Sequence, residues 1–211
     1  MDIIRADITQ DNKAIIQAAA DVLDQGGVIV FPTDSIYGLA ANALNWQAVE
    51  KVFRIKQLEF SKPLPIVARN MAWVRELAHV TPKEEAILDK IWPGTATVVL
   101  SKKTIIPDIV TADQNSVGIR VPNYSLVDEL LAKYGYPLTM ISANISDETS
   151  QRINDVIAAF RGNEIQPNLV IDVGILPPSE PSTILDLTGD HPKIIRVGAA
   201  TPQKLMELLK L

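Results

Sequence analysis

The stretch that decides the fold is GGVIVFPTDSIYG, residues 26–38. Gly26-Gly27 marks the end of a helix, and the β-branched apolar run VIVF that follows is typical of a buried strand. Pro32 ends this strand because it cannot donate to a sheet ladder. Polar side chains then follow beyond the strand end: Thr33, Ser35 and Tyr37. A buried strand that leads into polar residues predicts an α/β sheet whose strand ends face a ligand.

Strand and helix patterns alternate outward from this stretch in both directions. IIRAD at the N-terminus predicts a strand, and Asp11 is expected to cap the helix after it. Asn45 is expected to cap WQAVEKVFRIK, while Thr81 and Glu84 fit a capping box at the start of TPKEEAILDKIW. Further strands are predicted in LPIVA, TATVVLSKK, SVGIRVP, PLTMISAN and NLVIDVG, and STILDLTG with KIIRVG predicts a hairpin.

The C-terminal half adds three predicted helices. Ser125 is expected to cap YSLVDELLAKYG, a second helix runs from about Asn154 to Arg161, and a third begins at Pro202. Because hairpins interrupt the βαβ alternation, the pattern predicts a twisted mixed open sheet flanked by helices. No repeat or linker divides the chain, so residues 1–211 are expected to form a single domain.

The composition narrows the classes of function. Of the 211 residues, 47% are hydrophobic, the net charge is −5, and there is no cysteine. A disulfide scaffold, thiol catalysis and a thiolate zinc site are therefore excluded, and the two histidines, His79 and His191, argue against a Ser-His-Asp triad. The N-terminus lacks a signal peptide and no apolar run is long enough for a membrane span, so a cytoplasmic protein is expected. The negative charge limits any RNA contact to a local or weak one.

Candidate binding residues lie where the predicted strands stop. Thr33 and Ser35 taken singly are ordinary turn residues, and this structural role is favoured for each. Arg120 lies between Ile119 and Val121 in a strand that is expected to be buried. A buried arginine needs an anionic partner, so a ligand and an internal ion pair are equally good interpretations.

The candidate residues carry hydroxyls, an amide, guanidinium groups and ammonium groups, and none is an obvious nucleophile or general base. Such a set suits the binding of anionic oxygens. In phosphoryl and nucleotidyl transfer the protein mainly positions the reactants and stabilises negative charge, together with Mg²⁺. Neither a G-x-x-x-x-G-K-[ST] loop nor a G-x-G-x-x-G loop occurs in the chain. A nucleotide, if bound, is therefore held by a different fold from those loops.

Six segments in order resemble the YrdC/YciO-like family, whose characterised members are L-threonylcarbamoyladenylate synthases. They are FPTDSIYGLAANAL, RIKQLEFSKPLPIVA, IWPGTATVVL, SVGIRVPNYSLVDELL, SANIS and PSTILDLTGDHPKIIRVGA. The chain is similar to the single-domain form, since the additional C-terminal domain of longer members is missing. The resemblance implies a YrdC/RibB-like fold with a large concave pocket.

The implied activity is that of a nucleotidyltransferase. It joins L-threonine, bicarbonate and ATP into L-threonylcarbamoyl-AMP for N6-threonylcarbamoyladenosine modification at tRNA position 37. Mg²⁺ would enter with ATP as substrate, with no resident metal and no tightly bound cofactor. The implied partners are these substrates, downstream tRNA-modification proteins and, weakly, RNA or tRNA, with no membrane.

The resemblance also implies a role for individual residues. The catalytic set, from the family's Lys-x-Arg and Ser-x-Asn signatures, is Lys56, Ser142 and Asn144. The threonine or carbamate would lie near Thr33 and Arg120. The nucleotide would be contacted by Lys62, Ser116, Ser142, Asn144, Ser150 and Arg196.

One departure from the family pattern bears on the expected rate. Leu58 stands where the synthases usually have arginine, and the YciO-type branch also tends to carry leucine there. Loss of a charge-assisted contact to phosphate removes about 1.5–3 kcal/mol, roughly 10- to 150-fold in rate. The alternative is therefore a non-catalytic or weakly active paralogue that binds nucleotide or double-stranded RNA or tRNA. A third hypothesis is a hydrolase that acts through Asp34 or Asp186. For both aspartates, a structural role in a turn or helix cap is favoured over this hypothesis.

Overall fold

The computed structural model describes residues 1–7, 9–144, 152–200 and 205. Within these ranges the strands are β1 (Asp2–Arg5), β2 (Ile29–Pro32), β3 (Tyr37–Asn42), β4 (Ile66–Val67), β5 (Ala78–His79), β6 (Ala96–Lys102), β7 (Ser116–Arg120), β8 (Leu138–Ser142), β9 (Leu169–Asp172), β10 (Thr183–Asp186) and β11 (Lys193–Arg196). The helices are α1 (Lys13–Asp24), α2 (Trp46–Lys56), α3 (Met71–Leu77), α4 (Pro82–Ile91), α5 (Asp108–Thr111), α6 (Ser125–Tyr134) and α7 (Ile153–Phe160). None of these helices is long and apolar enough to cross a bilayer.

All the strands belong to one mixed sheet with the order β1-β9-β2-β3-β8-β4-β7-β6-β10-β11, and β5 pairs with β6. The β1–β9, β9–β2, β4–β7 and β6–β10 pairs are parallel, and the other pairs are antiparallel. The predicted α/β class with a mixed open sheet is confirmed. The expected hairpin of STILDLTG and KIIRVG is also present, as β10 and β11. The single domain over residues 1–211 stays a prediction.

Local sequence signals place several helix ends correctly. The side chain of Asn45 accepts a hydrogen bond from the Ala48 amide at 3.1 Å and caps α2. At α4, Thr81 and Glu84 form the predicted capping box, with the Thr81 amide donating to Glu84 Oε2 at 2.6 Å. These two helices therefore begin where their short polar side chains satisfy the first amides.

Two predicted caps are wrong by one residue. The cap position of α1 is Asn12, and Asp11 lies outside the helix with its carboxylate accepting from the Lys13 amide at 3.0 Å. The cap position of α6 is Tyr124, so Ser125 is the first helical residue. The α7 helix begins one residue earlier than expected, and the helix predicted from Pro202 lies outside the described residues.

Tyr37 is not a polar residue beyond a strand end, as its position after Pro32 indicated. It begins β3, which folds back antiparallel to β2, and its side chain is buried. The Tyr37 hydroxyl donates to the Gly174 carbonyl at 2.9 Å and accepts from the Val173 amide at 3.1 Å. Burial raises the pKa of Tyr37 to about 12. The hydroxyl thus ties the start of β3 to the segment after β9.

Helices cover the two faces of the sheet unequally. On one face, α1 and α6 pack over β2, β3, β8 and β9, with Leu23 and Leu130 among the buried contacts of that cluster. The larger core, which includes Val52 and Phe53 of α2, lies on the opposite face. On the face of α1 and α6, no helix of the described residues covers the sheet from β4 to β11. This region, together with Gly38 of β3 and Ser142 of β8, lines the cavity described next.

Candidate functional site

A cavity of about 590 Å³ lies over the open half of the sheet. Side chains of directly paired residues point to the same face, so the strand register decides which residues line it. The paired lining residues are Gly38 with Ser142, Val67 with Arg120, Val99 with Gly118, Thr97 with Ile184, and Ile184 with Arg196. Residues more than 150 positions apart in sequence thus share one concave surface.

The cavity is cationic although the protein is acidic. Its charged lining residues are Lys56, Lys62, Arg120 and Arg196, and no aspartate or glutamate lines it among the described residues. Low-dielectric walls concentrate the field of such a cluster, which favours anionic ligands. The net charge of −5 therefore resides elsewhere on the molecule.

Eight of the nine predicted site residues line this cavity. They are Thr33, Lys56, Lys62, Ser116, Arg120, Ser142, Asn144 and Arg196. The ninth, Ser150, lies outside the described residues. The sequence-based set is thus brought together in one place, while the role of each residue stays a prediction.

Lys56, at the end of α2, reaches the residues that follow β8. Its ammonium donates to both the main-chain and the side-chain oxygen of Asn144, and to Ser142 Oγ at 3.4 Å. Ser142 Oγ in turn donates to Asn144 Oδ1 at 2.8 Å. Lys56 is only 7% exposed, so its charge is held in a low-dielectric position where its interactions are strong.

Arg120 forms the internal ion pair that the sequence left as one of two interpretations. Its Nη2 atom lies 2.7 Å and 2.8 Å from the two carboxylate oxygens of Asp34, and its Nε atom donates to the Gly94 carbonyl at 2.9 Å. Burial lowers the pKa of Arg120, and the Asp34 carboxylate acts in the opposite direction. Arg120 also borders the cavity, so the pair and a ligand contact are both compatible with its position.

The two aspartates of the hydrolase reading have structural partners. Asp34 is engaged by Arg120, and its Oδ2 atom also accepts from the Asn123 amide at 3.4 Å. Asp186 accepts from the amide and the hydroxyl of Thr188 at 2.8 Å and 2.7 Å, as a turn aspartate does. Neither lines the cavity, which favours the turn and pairing roles.

Thr33 uses its hydroxyl to shape the hairpin between β2 and β3. Thr33 Oγ1 donates to the Ile36 carbonyl at 2.6 Å and accepts from the amides of Ser35 and Ile36, each at 3.2 Å. The structural role favoured from sequence is therefore present. Ser35 is buried beside it and lies 3.5 Å from Nη1 of Arg120, which links this hairpin to β7.

Arg196 extends across the far end of the cavity to the residue before β10. Its Nη2 and Nε atoms donate to the Ser182 carbonyl at 2.8 Å and 3.2 Å, and burial lowers its pKa. Lys62 lies exposed in the segment after α2 and forms no ion pair with the described residues. Ser116 is half-buried at the start of β7.

Sequence reasoning missed several polar residues of the cavity. The hydroxyls of Thr97 and Ser182 lie 2.8 Å apart in the lining, and Gln114 lies before β7. A threonine inside the apolar run TATVVL and a serine directly before TILDL are the signals that could have identified them. Both residue types are also common in structural positions, so only the register shows that they share the cavity.

Leu58 lines the cavity together with the two lysines that flank it in sequence, Lys56 and Lys62. Gln57 ends α2 in the left-handed region with φ 55°, and the Leu58 amide donates to the Phe53 carbonyl at 3.0 Å. This turn directs Leu58 to the cavity, where it is half-buried against the larger core. The cavity lining is thus apolar at the position where the synthases usually have arginine.

A protein-family model matches most of the chain. The model of the Sua5/YciO/YrdC domain, described as "Telomere recombination", matches residues 21–198. The chain belongs to this family. A relative from Methanocaldococcus jannaschii, named provisionally as a threonylcarbamoyl-AMP synthase, is 38% identical and covers 93% of this chain and 91% of its own length. The threonylcarbamoyl-AMP synthase of Pyrococcus abyssi is 31% identical over 92% of this chain, which spans only 57% of that protein's length.

Solved structures of the family have the same fold. The crystal structure of P. abyssi Sua5 complexed with L-threonine has a TM-score of 0.89 and 29% identity, covering 98% of this chain and 60% of that one. The crystal structure of E. coli YciO has a TM-score of 0.81 and 26% identity, covering 93% and 94%. The predicted family and its architecture are both confirmed by these matches.

Proposed function

We propose that this family member makes L-threonylcarbamoyl-AMP from L-threonine, bicarbonate and ATP, for N6-threonylcarbamoyl modification of tRNA position 37. The observation that carries the proposal is the single cavity in which four cations and the Lys56–Ser142–Asn144 cluster meet. The family relatives named as threonylcarbamoyl-AMP synthases support the same activity.

The proposed reaction suits a cationic cavity without a nucleophile. The threonine nitrogen adds to bicarbonate with loss of water, and a carbamate oxygen attacks the α-phosphorus as the bond to the pyrophosphate leaving group breaks. Both partners in the second step are anions, so they repel each other in water. Lys56, Arg196 and Lys62 would offset this repulsion and the charge that develops on the leaving group.

Mg²⁺ would enter as part of the nucleotide substrate. Magnesium prefers carboxylate, phosphate and water oxygens. The lining offers hydroxyls and carbonyls but no carboxylate within the part of the chain that the structure describes. The phosphates of ATP would therefore supply the charged ligands of the ion, and the protein would act on the complex through its cations.

The proposal is tested by pyrophosphate release. The protein is incubated with ATP, Mg²⁺, L-threonine and bicarbonate, with the P. abyssi synthase as positive control and reactions lacking threonine as blanks. We expect release that depends on threonine and bicarbonate, and a product with the mass of L-threonylcarbamoyl-AMP. Release at the level of the blank, while the control turns over, would contradict the proposal.

A second candidate function is that of a weakly active or non-catalytic paralogue that binds nucleotide or RNA. The observation that favours it is Leu58, which contributes an apolar side chain to the same cavity lining as Lys56 and Lys62. On the synthase proposal, Leu58→Arg adds a cation beside the phosphates and raises turnover about ten-fold. Leu58→Gln is the matched polar control without charge. RNA binding that weakens steeply with salt, without threonine-dependent turnover in either variant, would favour the paralogue.

A further inference from the structure

Three of the four cations of the cavity, Arg120, Arg196 and Lys62, differ in how their charge is balanced. Arg120 has a carboxylate partner, Asp34, and both side chains are almost fully shielded, with 10% and 13% exposure. Among the described residues, Arg196 donates to the carbonyl and hydroxyl oxygens of Ser182 and has no ion pair. Lys62 has no ion pair with any residue that the structure describes. One cationic site is therefore neutralised, while two others keep a net positive charge.

The Arg120 guanidinium is also held in one orientation. Its Nε atom is fixed by Gly94, its Nη2 atom by Asp34, and its Nη1 atom faces Ser35 at 3.5 Å. Nη1 is thus the nitrogen with the longest of these contacts, and Arg120 lines the cavity. Asp34 is not a lining residue, so it acts on a ligand through the position and charge of Arg120.

The balanced and the positive sites lie far apart along the sheet. Arg120 is in β7 and Arg196 is in β11, with β6 and β10 between them. Neighbouring strands are about 4.8 Å apart, so three steps separate the two arginines by roughly 14 Å. The Thr97–Ser182 hydroxyl pair lies between them, on the same face. Along the sheet from β7 to β11, the cavity therefore passes from an electrically balanced end at Arg120 to a positive end at Arg196.

We propose that Asp34 is a positioning residue that determines specificity: through Arg120 it keeps one end of the cavity neutral, so that this end accepts a zwitterionic amino acid and disfavours a simple anion. The inference rests on the proposed function, since it concerns the amino-acid substrate.

The physical basis is the charge that each ligand carries into a shielded site. The carboxylate of threonine can bind Arg120 while its ammonium group remains in the field of the Asp34 carboxylate. A ligand with the same carboxylate but no ammonium gains only the first of these two interactions. Without Asp34, the end would carry one net positive charge and would favour the anion instead.

The test compares two ligands of nearly equal shape. They are L-threonine and its 2-hydroxy analogue, in which a hydroxyl replaces the ammonium group, and the Kd of each is measured by calorimetry without ATP. We expect Asp34→Asn to shift the ratio of the two Kd values toward the analogue by on the order of ten-fold. Arg120→Gln should shift the ratio the other way while weakening both ligands, and the double variant, whose end is neutral again, should return it to within about two-fold of the wild-type value.

The exposed pair Arg69–Asp128 provides the matched control. Its atoms lie 2.9 Å apart at 39% and 53% exposure, so Asp128→Asn removes the same charge from a solvated pair. This variant should leave the ratio of Kd values unchanged. If the role of Asp34 were merely structural, Asp34→Asn would lower the stability of the protein. The ratio of the two Kd values would then not follow the net charge of the Asp34–Arg120 pair across the variants.

Each result bears on a specific claim. An unchanged ratio in Asp34→Asn, or the same shift in Asp128→Asn, overturns the inference while threonine binding to the wild-type protein still supports the proposed function. No threonine binding to the wild-type protein overturns the proposed function itself. If Asp34→Asn does not fold, the inference is tested with Arg120→Gln and the neutral double variant. The ratio of Kd values should shift away from the analogue in Arg120→Gln and return to near the wild-type value in the double variant.

Discussion

Two halves of the same sheet face have opposite surroundings. Over β2, β3, β8 and β9 the face is covered by α1 and α6, and residues such as Phe31 and Leu138 are fully buried there. From β4 to β11 the face carries Gly118, hydroxyls and arginines, and it forms the wall of the cavity. The backbone architecture is continuous across both halves, so the side chains account for the difference.

The comparison shows how a cavity is made without a special backbone element. A helix packs on a sheet where both surfaces are apolar, because burial of that area offsets the loss of conformational freedom. Polar and glycine positions on the face offer no such area, and burying their polar atoms would cost free energy. The residue types of the open half thus disfavour the packing of a helix on it.

The largest expected effect is on the stability of the covered half. Leu130→Ala in α6 removes a fully buried side chain between the helix and the sheet, and should lower the free energy of unfolding by about 2–5 kcal/mol. Urea denaturation measures this loss. Turnover per folded molecule should stay within about two-fold. Lys133→Ala, on the exposed side of the same helix, should change stability by less than about 0.5 kcal/mol.

In the open half the main effect should be on activity. Lys56→Met keeps the apolar stem but removes the ammonium that contacts Asn144 and Ser142, and should reduce threonine-dependent pyrophosphate release on the order of 100-fold. Lys51→Met on the same helix removes a cation that does not line the cavity and that donates to the Gly26 carbonyl at 2.8 Å. Equal losses in both variants would show that the cavity lysine has no special role.

The border between the halves lies at Gly38. A Cβ atom there would lie 2.1 Å from Sδ and 2.8 Å from Cγ of Met140, on the neighbouring strand β8. Gly38→Ala should therefore destabilise the protein by about 1–3 kcal/mol. Met140→Ala in the same chain should recover part of this loss, measured as a coupling energy in a double-mutant cycle. Strictly additive losses would show that Met140 moves aside without cost.

High pH should reveal the link that Tyr37 makes under the site. Its pKa of about 12 in the folded protein is above the ordinary value of 10.0, so the unfolded chain loses its proton first. The contribution of Tyr37 to the free energy of unfolding is therefore complete below pH 10. Between pH 10 and pH 12 this contribution declines by about 1.4 kcal/mol per pH unit. The free energy of unfolding, measured across this pH range, should fall less steeply with pH in Tyr37→Phe than in the wild-type protein. An identical slope would mean that other tyrosines account for the dependence.

Local signals predicted the elements whose causes are local. Asn45, Thr81 and Glu84 mark helix starts through contacts within one turn, and these were right. Ser125 was displaced by one residue because a nearby hydroxyl resembles a cap even when its side chain is not used. The strand β3 was missed because YGLAAN has too few β-branched residues, and its pairing with β2 and β8 stabilises it instead.

The sequence by itself determined the residue types of the site, since hydroxyls, one amide and four cations at strand and helix ends suit anionic oxygens. The stretch GGVIVFPTDSIYG determined that a buried strand opens into such residues, because β-branched side chains and proline act locally. Only the tertiary structure decided that Arg120 is neutralised by Asp34 while Arg196 and Lys62 are not paired with any described carboxylate. Charge balance depends on contacts between residues 86 positions apart, and such contacts exist only once the sheet has formed.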